Sequence, residues 1–139
     1  IWYGIEQCDI LKIADNEIEW LTGTDDYDKG IEIIRQRTHA KLINVTLGPN
    51  GSIAYYGDHK VFMEPYLNEN TIETTGAGDT FGACALHAVL KNGLDNMTED
   101  DLKEMLQFAN AAASLVTTKK GALRVMPEEK EIKELINKY

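Results

Sequence analysis

The sequence predicts an α/β fold whose sheet is mixed and contains one hairpin. Three observations lead there. Short apolar runs at Asp9–Ile13 and Lys41–Leu47 have strand length and polar borders. Two further runs, Ser52–Tyr56 and Lys60–Tyr66, are joined by Gly57-Asp58-His59, a connection of hairpin length and composition. Elsewhere the apolar residues recur at helical spacing.

Taken in order, Asp9–Ile13 is a buried strand, and Asp15 to Leu21 is a helix that stops at Gly23. Thr24–Gly30 is a polar connection, with Asp25, Asp26 and Asp28 as a solvated acidic loop. A helix follows from Ile31 to about Thr38, then the strand Lys41–Leu47 and the turn Gly48-Pro-Asn-Gly51. After the hairpin comes a polar stretch, Leu67–Asn70. Phe81, Cys84, Ala85, Ala88 and Val89 mark one face of a helix that ends near Gly93. Thr98 caps a long helix with an acidic first turn and an apolar stripe from Leu102 to Val116. Pro127 opens a final amphipathic helix carrying Ile132, Leu135 and Ile136.

The chain has 139 residues, enough for one domain. It carries 14 basic and 23 acidic side chains, a net charge of -9. That excess argues against a broad nucleic-acid or anionic-membrane surface. Any phosphate must instead be held locally, by backbone amides and helix ends. No apolar run approaches the roughly 20 residues of a membrane helix, the opening has no signal-peptide pattern, and two cysteines build no disulfide scaffold. A cytoplasmic setting is expected. The chain begins without an initiator Met and in mid-pattern, as a fragment would.

The segment richest in chemistry is Thr74-Thr-Gly-Ala-Gly-Asp-Thr-Phe-Gly82. Gly76 and Gly78 let the backbone approach a ligand immediately before a helix, whose first amide hydrogens lack partners. Such a turn is an anion hole without Lys or Arg. Asp79, at its mouth, has the position of a general base beside a held phosphoryl group. The residues alone favour Asp79 as a first-turn acid stabilised by the helix dipole. There is no G-x-x-x-x-G-K-[ST], and the glycine spacing is one residue longer than the dinucleotide fingerprint. Asn16 and Glu19 lie three apart on one helical face, close enough to act on one hydrated ion or to form a capping box. The scattered His39, His59 and His87 lack the spacing of a zinc site.

Thr75-Gly-Ala-Gly-Asp-Thr-Phe-Gly-Ala83 closely resembles the C-terminal signature of the ribokinase-like, pfkB-type carbohydrate kinases, and the run from Leu11 to Gly23 looks most like the fructokinase branch. The resemblance implies the C-terminal part of a ribokinase-like α/β/α sandwich. It implies Asp79 as the base that deprotonates a sugar hydroxyl for attack on ATP, with Gly76, Ala77 and Gly78 as the anion hole. Asn16-Glu-Ile-Glu19 resembles the family's N-x-x-E motif, which implies Asn16 and Glu19 at magnesium (Mg2+). Thr46-Leu-Gly-Pro-Asn-Gly51 resembles its T-x-G-x-x-G segment, which implies Thr46 and Gly48 at the nucleotide phosphates and Gly51 at the turn. Asn110, in Phe108-Ala-Asn-Ala-Ala112, and Gly121, in Lys120-Gly-Ala122, are carried over as nucleotide-site residues in the same way. Glu73 stands where many relatives have Asp, and the extra methylene alters the place where that Asp helps hold potassium (K+).

The resemblance takes in residues 1–139 but only the C-terminal, nucleotide-binding half of a family member. Sugar-binding and lid segments would lie in an N-terminal half. ATP and a small sugar, fructose first, are the implied ligands; another sugar, a nucleoside, or a non-catalytic nucleotide-binding module remain open. An isolated half would bind ATP weakly at best, would not turn over, and would expose a strand edge suited to a homodimer.

Overall fold

The structure is a computed structural model that describes all of residues 1–139. It opens with a short helix, α1 (Trp2–Gln7), that the sequence pattern does not announce. Six residues with a single buried side chain, Ile5, are too few for a helical period to show. Next come β1 (Ile10–Ala14), α2 (Asp15–Thr22) and α3 (Tyr27–Arg35). Helix α3 starts four residues before the expected Ile31, because the Asp26 carboxylate accepts the Lys29 N–H at 3.1 Å and caps it. The acidic loop is therefore used rather than merely solvated. Asp28 accepts hydrogen bonds from the Tyr55 hydroxyl at 2.8 Å and the Lys60 ammonium at 2.7 Å.

Strand β2 (Leu42–Thr46) leads through one 3-10 turn, Gly48–Asn50, into β3 (Ser52–Tyr56) and β4 (His59–Met63). The last strand stops short of the expected Tyr66. Pro65 has no N–H for a ladder, and the Met63 and Glu64 carbonyls are taken by the Asn110 side chain. Helices α4 (Ala77–Asn92), α5 (Glu99–Val116) and α6 (Glu129–Ile136) complete the chain. Thr98 caps α5 as the sequence predicts, accepting the Asp101 N–H at 3.2 Å while Asp101 accepts the Thr98 N–H at 2.8 Å. No helix is long and apolar enough to cross a membrane.

The sheet order is β1-β2-β3-β4. β1 and β2 are parallel, with Lys12 opposite Asn44, and the β2–β3 and β3–β4 pairs are antiparallel. Alternation along each strand divides the core. Ile13, Ile43, Val45 and Ile53 join Ile18, Ile31 and Ile34 of α2 and α3 on one face. On the other face Leu42, Ala54 and Val61 meet Phe81 and Ala85 of α4 and Leu102, Met105 and Leu106 of α5. Fully burying a side chain of this size contributes about 1.5–3 kcal/mol, so these two layers hold the sheet between helices. The expected α/β/α sandwich with a mixed sheet is what the chain forms. β1 and β4 are its edges.

Two outcomes follow from this framework. Gly51 has φ 98°, and a Cβ there would collide with the Met63 carbonyl oxygen. Gly51→Ala lowers stability by about 3 kcal/mol, seen as a lower urea midpoint; an unchanged midpoint refutes it. Second, several carboxylates lie below their ordinary values of 3.8 and 4.5: Asp26 through the Lys29 N–H, Asp28 through the Lys60 ammonium, Asp101 through the Thr98 N–H and Glu131 through the Glu128 N–H. A depressed folded value contributes stability that is complete above the unfolded value and is lost as pH falls through the folded one. The melting temperature therefore holds at neutral pH and falls on acidification below about pH 4.5, and a melt independent of pH there contradicts these bonds.

Candidate functional site

A cleft of about 670 Å³ opens where the C-terminal ends of the two parallel strands meet the start of α4 and the middle of α5. Ligands of α/β sheets gather at that end of the strands. Ala14 and Asp15 line it from the β1–α2 junction, Thr46, Gly48 and Gly51 from β2 and the turn after it. The segment Pro65–Glu69 forms one wall, and Thr74, Ala77 and Gly78 another. Asn110, Ser114 and Thr117 of α5 and its C-cap form the floor.

The start of α4 is the polar centre of this arrangement. Gly76, the N-cap, adopts φ 83°, and no side chain caps the helix. A Cβ on Gly76 would stand 2.9 Å from the Ala122 Cβ, so only glycine lets the turn lie against that segment. The Ala77 N–H donates to the Thr74 carbonyl at 3.2 Å, whereas the N–H groups of Gly76, Gly78 and Asp79 have no partner in the chain. Three amides at the positive end of a 16-residue helix are thus free for an anion. Asp79 follows them, exposed, with no hydrogen bond or ion pair to its carboxylate.

Six of the residues singled out in the sequence, Thr46, Gly48, Gly51, Ala77, Gly78 and Asn110, meet at this cleft. Asn110 does so as a clamp. It is 8% exposed, accepts the Ser52 hydroxyl at 2.8 Å, and donates to the Glu64 and Met63 carbonyls at 2.9 and 3.2 Å. Its amide hydrogens are therefore spent on joining α5 to the hairpin. Gly121 is not on the cleft wall but beside it: its N–H donates to Glu73 Oε1 at 2.9 Å. Glu73 is thereby a brace that holds the Lys120–Ala122 segment behind Gly76, a contact across 48 positions that no local pattern announces.

Asn16 and Glu19 stand apart from the cleft lining. Helix α2 starts at Asp15, with Ala14 as N-cap, and Glu17 rather than Glu19 closes the turn by accepting the Ala14 N–H at 2.7 Å. That phase leaves Asn16 and Glu19 exposed and off the cleft wall, and brings Ala14 and Asp15 to it instead. No three His, Cys, Asp or Glu side chains converge on one point. Such a donor set suits magnesium carried by phosphates and water with one or two carboxylates, and does not suit an all-protein cage.

Comparison with known proteins identifies the family and the fold. The family described as pfkB family carbohydrate kinase matches residues 3–129. Fructokinase-1 of Zea mays is 37% identical over 138 residues, 99% of this chain and 42% of its own. The structure of Arabidopsis thaliana ribokinase complexed with ribose and ATP superposes with a TM-score of 0.80 at 29% identity, over 98% of this chain and 43% of that one. Fructokinase from Vibrio cholerae O395, bound to fructose, ADP and calcium, gives 0.79 at 25% identity, over 93% and 41%. The chain spans about two-fifths of the length of these relatives. With its glycine turn, its mixed sheet and this match over most of its length, the chain belongs to the pfkB family of carbohydrate kinases.

Proposed function

We propose that this chain is the nucleotide-binding, base-bearing portion of an ATP-dependent sugar kinase of the fructokinase type. The observation that carries this is the pairing of three unpartnered amides, on Gly76, Gly78 and Asp79, with an unpaired, exposed Asp79 carboxylate next in sequence to Gly78; Ala77 and Gly78 line a cleft of about 670 Å³, while Gly76 and Asp79 flank them outside its lining. The amides hold the transferring phosphoryl group by charge-assisted hydrogen bonds. Asp79 takes the proton of a sugar hydroxyl as that oxygen attacks the γ-phosphorus; the bond to the β–γ bridging oxygen breaks, and ADP leaves with its electron pair. Thr46 and Gly48 flank the remaining phosphates, and Asn110 fixes the wall on which the base of the nucleotide rests. Gly121 keeps the glycine turn backed.

Magnesium, when bound, would neutralise phosphate charge, and Asp15, one of two carboxylates on the cleft wall with Glu69, is suited to hold it from the β1–α2 junction. Glu73 serves in this scheme as the brace for Gly121, not as a potassium ligand. Because the chain covers about two-fifths of its relatives, the sugar is gripped largely by residues beyond those matched here. Fructose is the substrate to test first, since the maize relative is a fructokinase. The unpaired edge of β1 is where a further strand, from the same polypeptide or a second copy, would add.

The experiment is a coupled assay of fructose-dependent ADP release by the full-length gene product. Asp79→Asn lowers kcat about 10³-fold and leaves ATP affinity within about twofold. Turnover retained by Asp79→Asn removes Asp79 from the chemistry.

A further inference from the structure

Asn110 secures one end of the cleft wall formed by Pro65–Glu69, where that wall leaves β4. The other end is fixed beyond Leu67. There the Thr71 hydroxyl donates to the Asn68 carbonyl at 2.8 Å, and the Thr117 carbonyl accepts the Ile72 and Glu73 N–H groups at 2.8 and 3.3 Å. Pro65, Tyr66 and Leu67, between these anchors, make no backbone–backbone hydrogen bond. One side-chain bond reaches them: the Tyr139 hydroxyl donates to the Leu67 carbonyl at 3.1 Å. The same side chain meets Tyr66 edge-on, with ring centroids 5.2 Å apart and planes at 85°, an arrangement in which aromatic quadrupoles attract.

Tyr139 comes to the wall from α6. The N–H groups of Asn137, Lys138 and Tyr139 donate to the Lys133, Leu135 and Ile136 carbonyls, so the helical winding continues as far as the tyrosine. Ile132 roots α6, 3% exposed against Ala111 and Ala112 of α5, and Tyr66 packs on the same cluster beside Leu135 and Ile136. Helix α6 therefore stands on α5 and grips the middle of the wall through one residue. Tyr139 is itself 79% exposed, so its contribution is to the wall and not to the core.

We propose that Tyr139 is a positioning residue for the nucleobase: by fixing Tyr66 and Leu67 it sets the gap between the wall and Ala113 of α5. This rests on the cleft being a nucleotide site. Pro65, Tyr66, Leu67 and Ala113 give that part of the cleft an apolar lining that suits a flat ring, whereas the free amides of the glycine turn suit phosphate. A wall free to shift presents the right gap in only a fraction of molecules, and apparent affinity falls by that fraction. Tyr139 raises the fraction, and it acts on the base alone.

The test compares binding of ATP, adenosine and inorganic triphosphate to the full-length gene product by calorimetry, with and without substitution at Tyr139. Tyr139→Phe keeps the ring, loses the bond to Leu67, and weakens ATP and adenosine about threefold. Tyr139→Ala loses both contacts and weakens them about tenfold. Triphosphate affinity stays within about twofold in both variants, and KM for ATP rises while kcat holds. A role confined to stability lowers the melting temperature and leaves the ratio of ATP to triphosphate affinity unchanged; that result overturns the proposal. Where Tyr139→Ala melts too low to titrate, Tyr139→Phe decides, and ATP affinity equal to that of the unaltered protein overturns it. An unaltered protein that binds neither ATP nor triphosphate overturns the nucleotide site itself, an outcome distinct from variants that match an ATP-binding parent.

Discussion

The arrangement depends on a helix start whose amides are left open. In the other helices of eight residues or more, carboxylates complete the first turn: Glu17 for α2, Asp26 for α3, Asp101 for α5 and Glu131 for α6. A chain with 23 acidic residues has no shortage of caps. At α4 the position goes to Gly76, which has no side chain to fold back. Free donors at a helix end are costly to bury and cheap to leave facing a polar cleft, so the cleft and the uncapped end require one another.

Holding those donors in place falls to parts of the molecule far away in sequence. Phe81 and Ala85 sink one face of α4 into the core over Leu42 and Ala54, which fixes the helix axis. Glu73 and Ala122 back the turn from the other side. Asn110 ties α5 to the exit of the hairpin, so the floor and one wall move as a unit. The acidic balance of the surface suits this design. On the proposed reading, an anion is held by backbone dipoles rather than drawn in by a basic field.

Much of this is legible in the sequence, for physical reasons. Thr98 with Asp101, the Gly57 turn and the glycine run at 76–78 are local devices whose chemistry is written within four residues. What escapes are relations set by phase and by distance. Ala14 is a poor N-cap by type, so the start of α2 at Asp15, which turns Ala14 and Asp15 toward the cleft, is not marked in the sequence. The link from Glu73 to Gly121 and the clamp from Asn110 to Ser52 join segments 48 and 58 positions apart, with no local mark on either partner.

The strand order has a thermodynamic consequence. β1, which ends in Ala14 at the cleft, is joined to the sheet by a single ladder. On the proposed reading, an anion seated in the cleft against Ala14 restrains this strand. A strand that pairs with the outer side of β1 restrains it in the same conformation. The two events are linked: each lowers the entropy cost of the other, and the factor by which edge pairing raises anion affinity equals the factor by which the anion raises edge pairing.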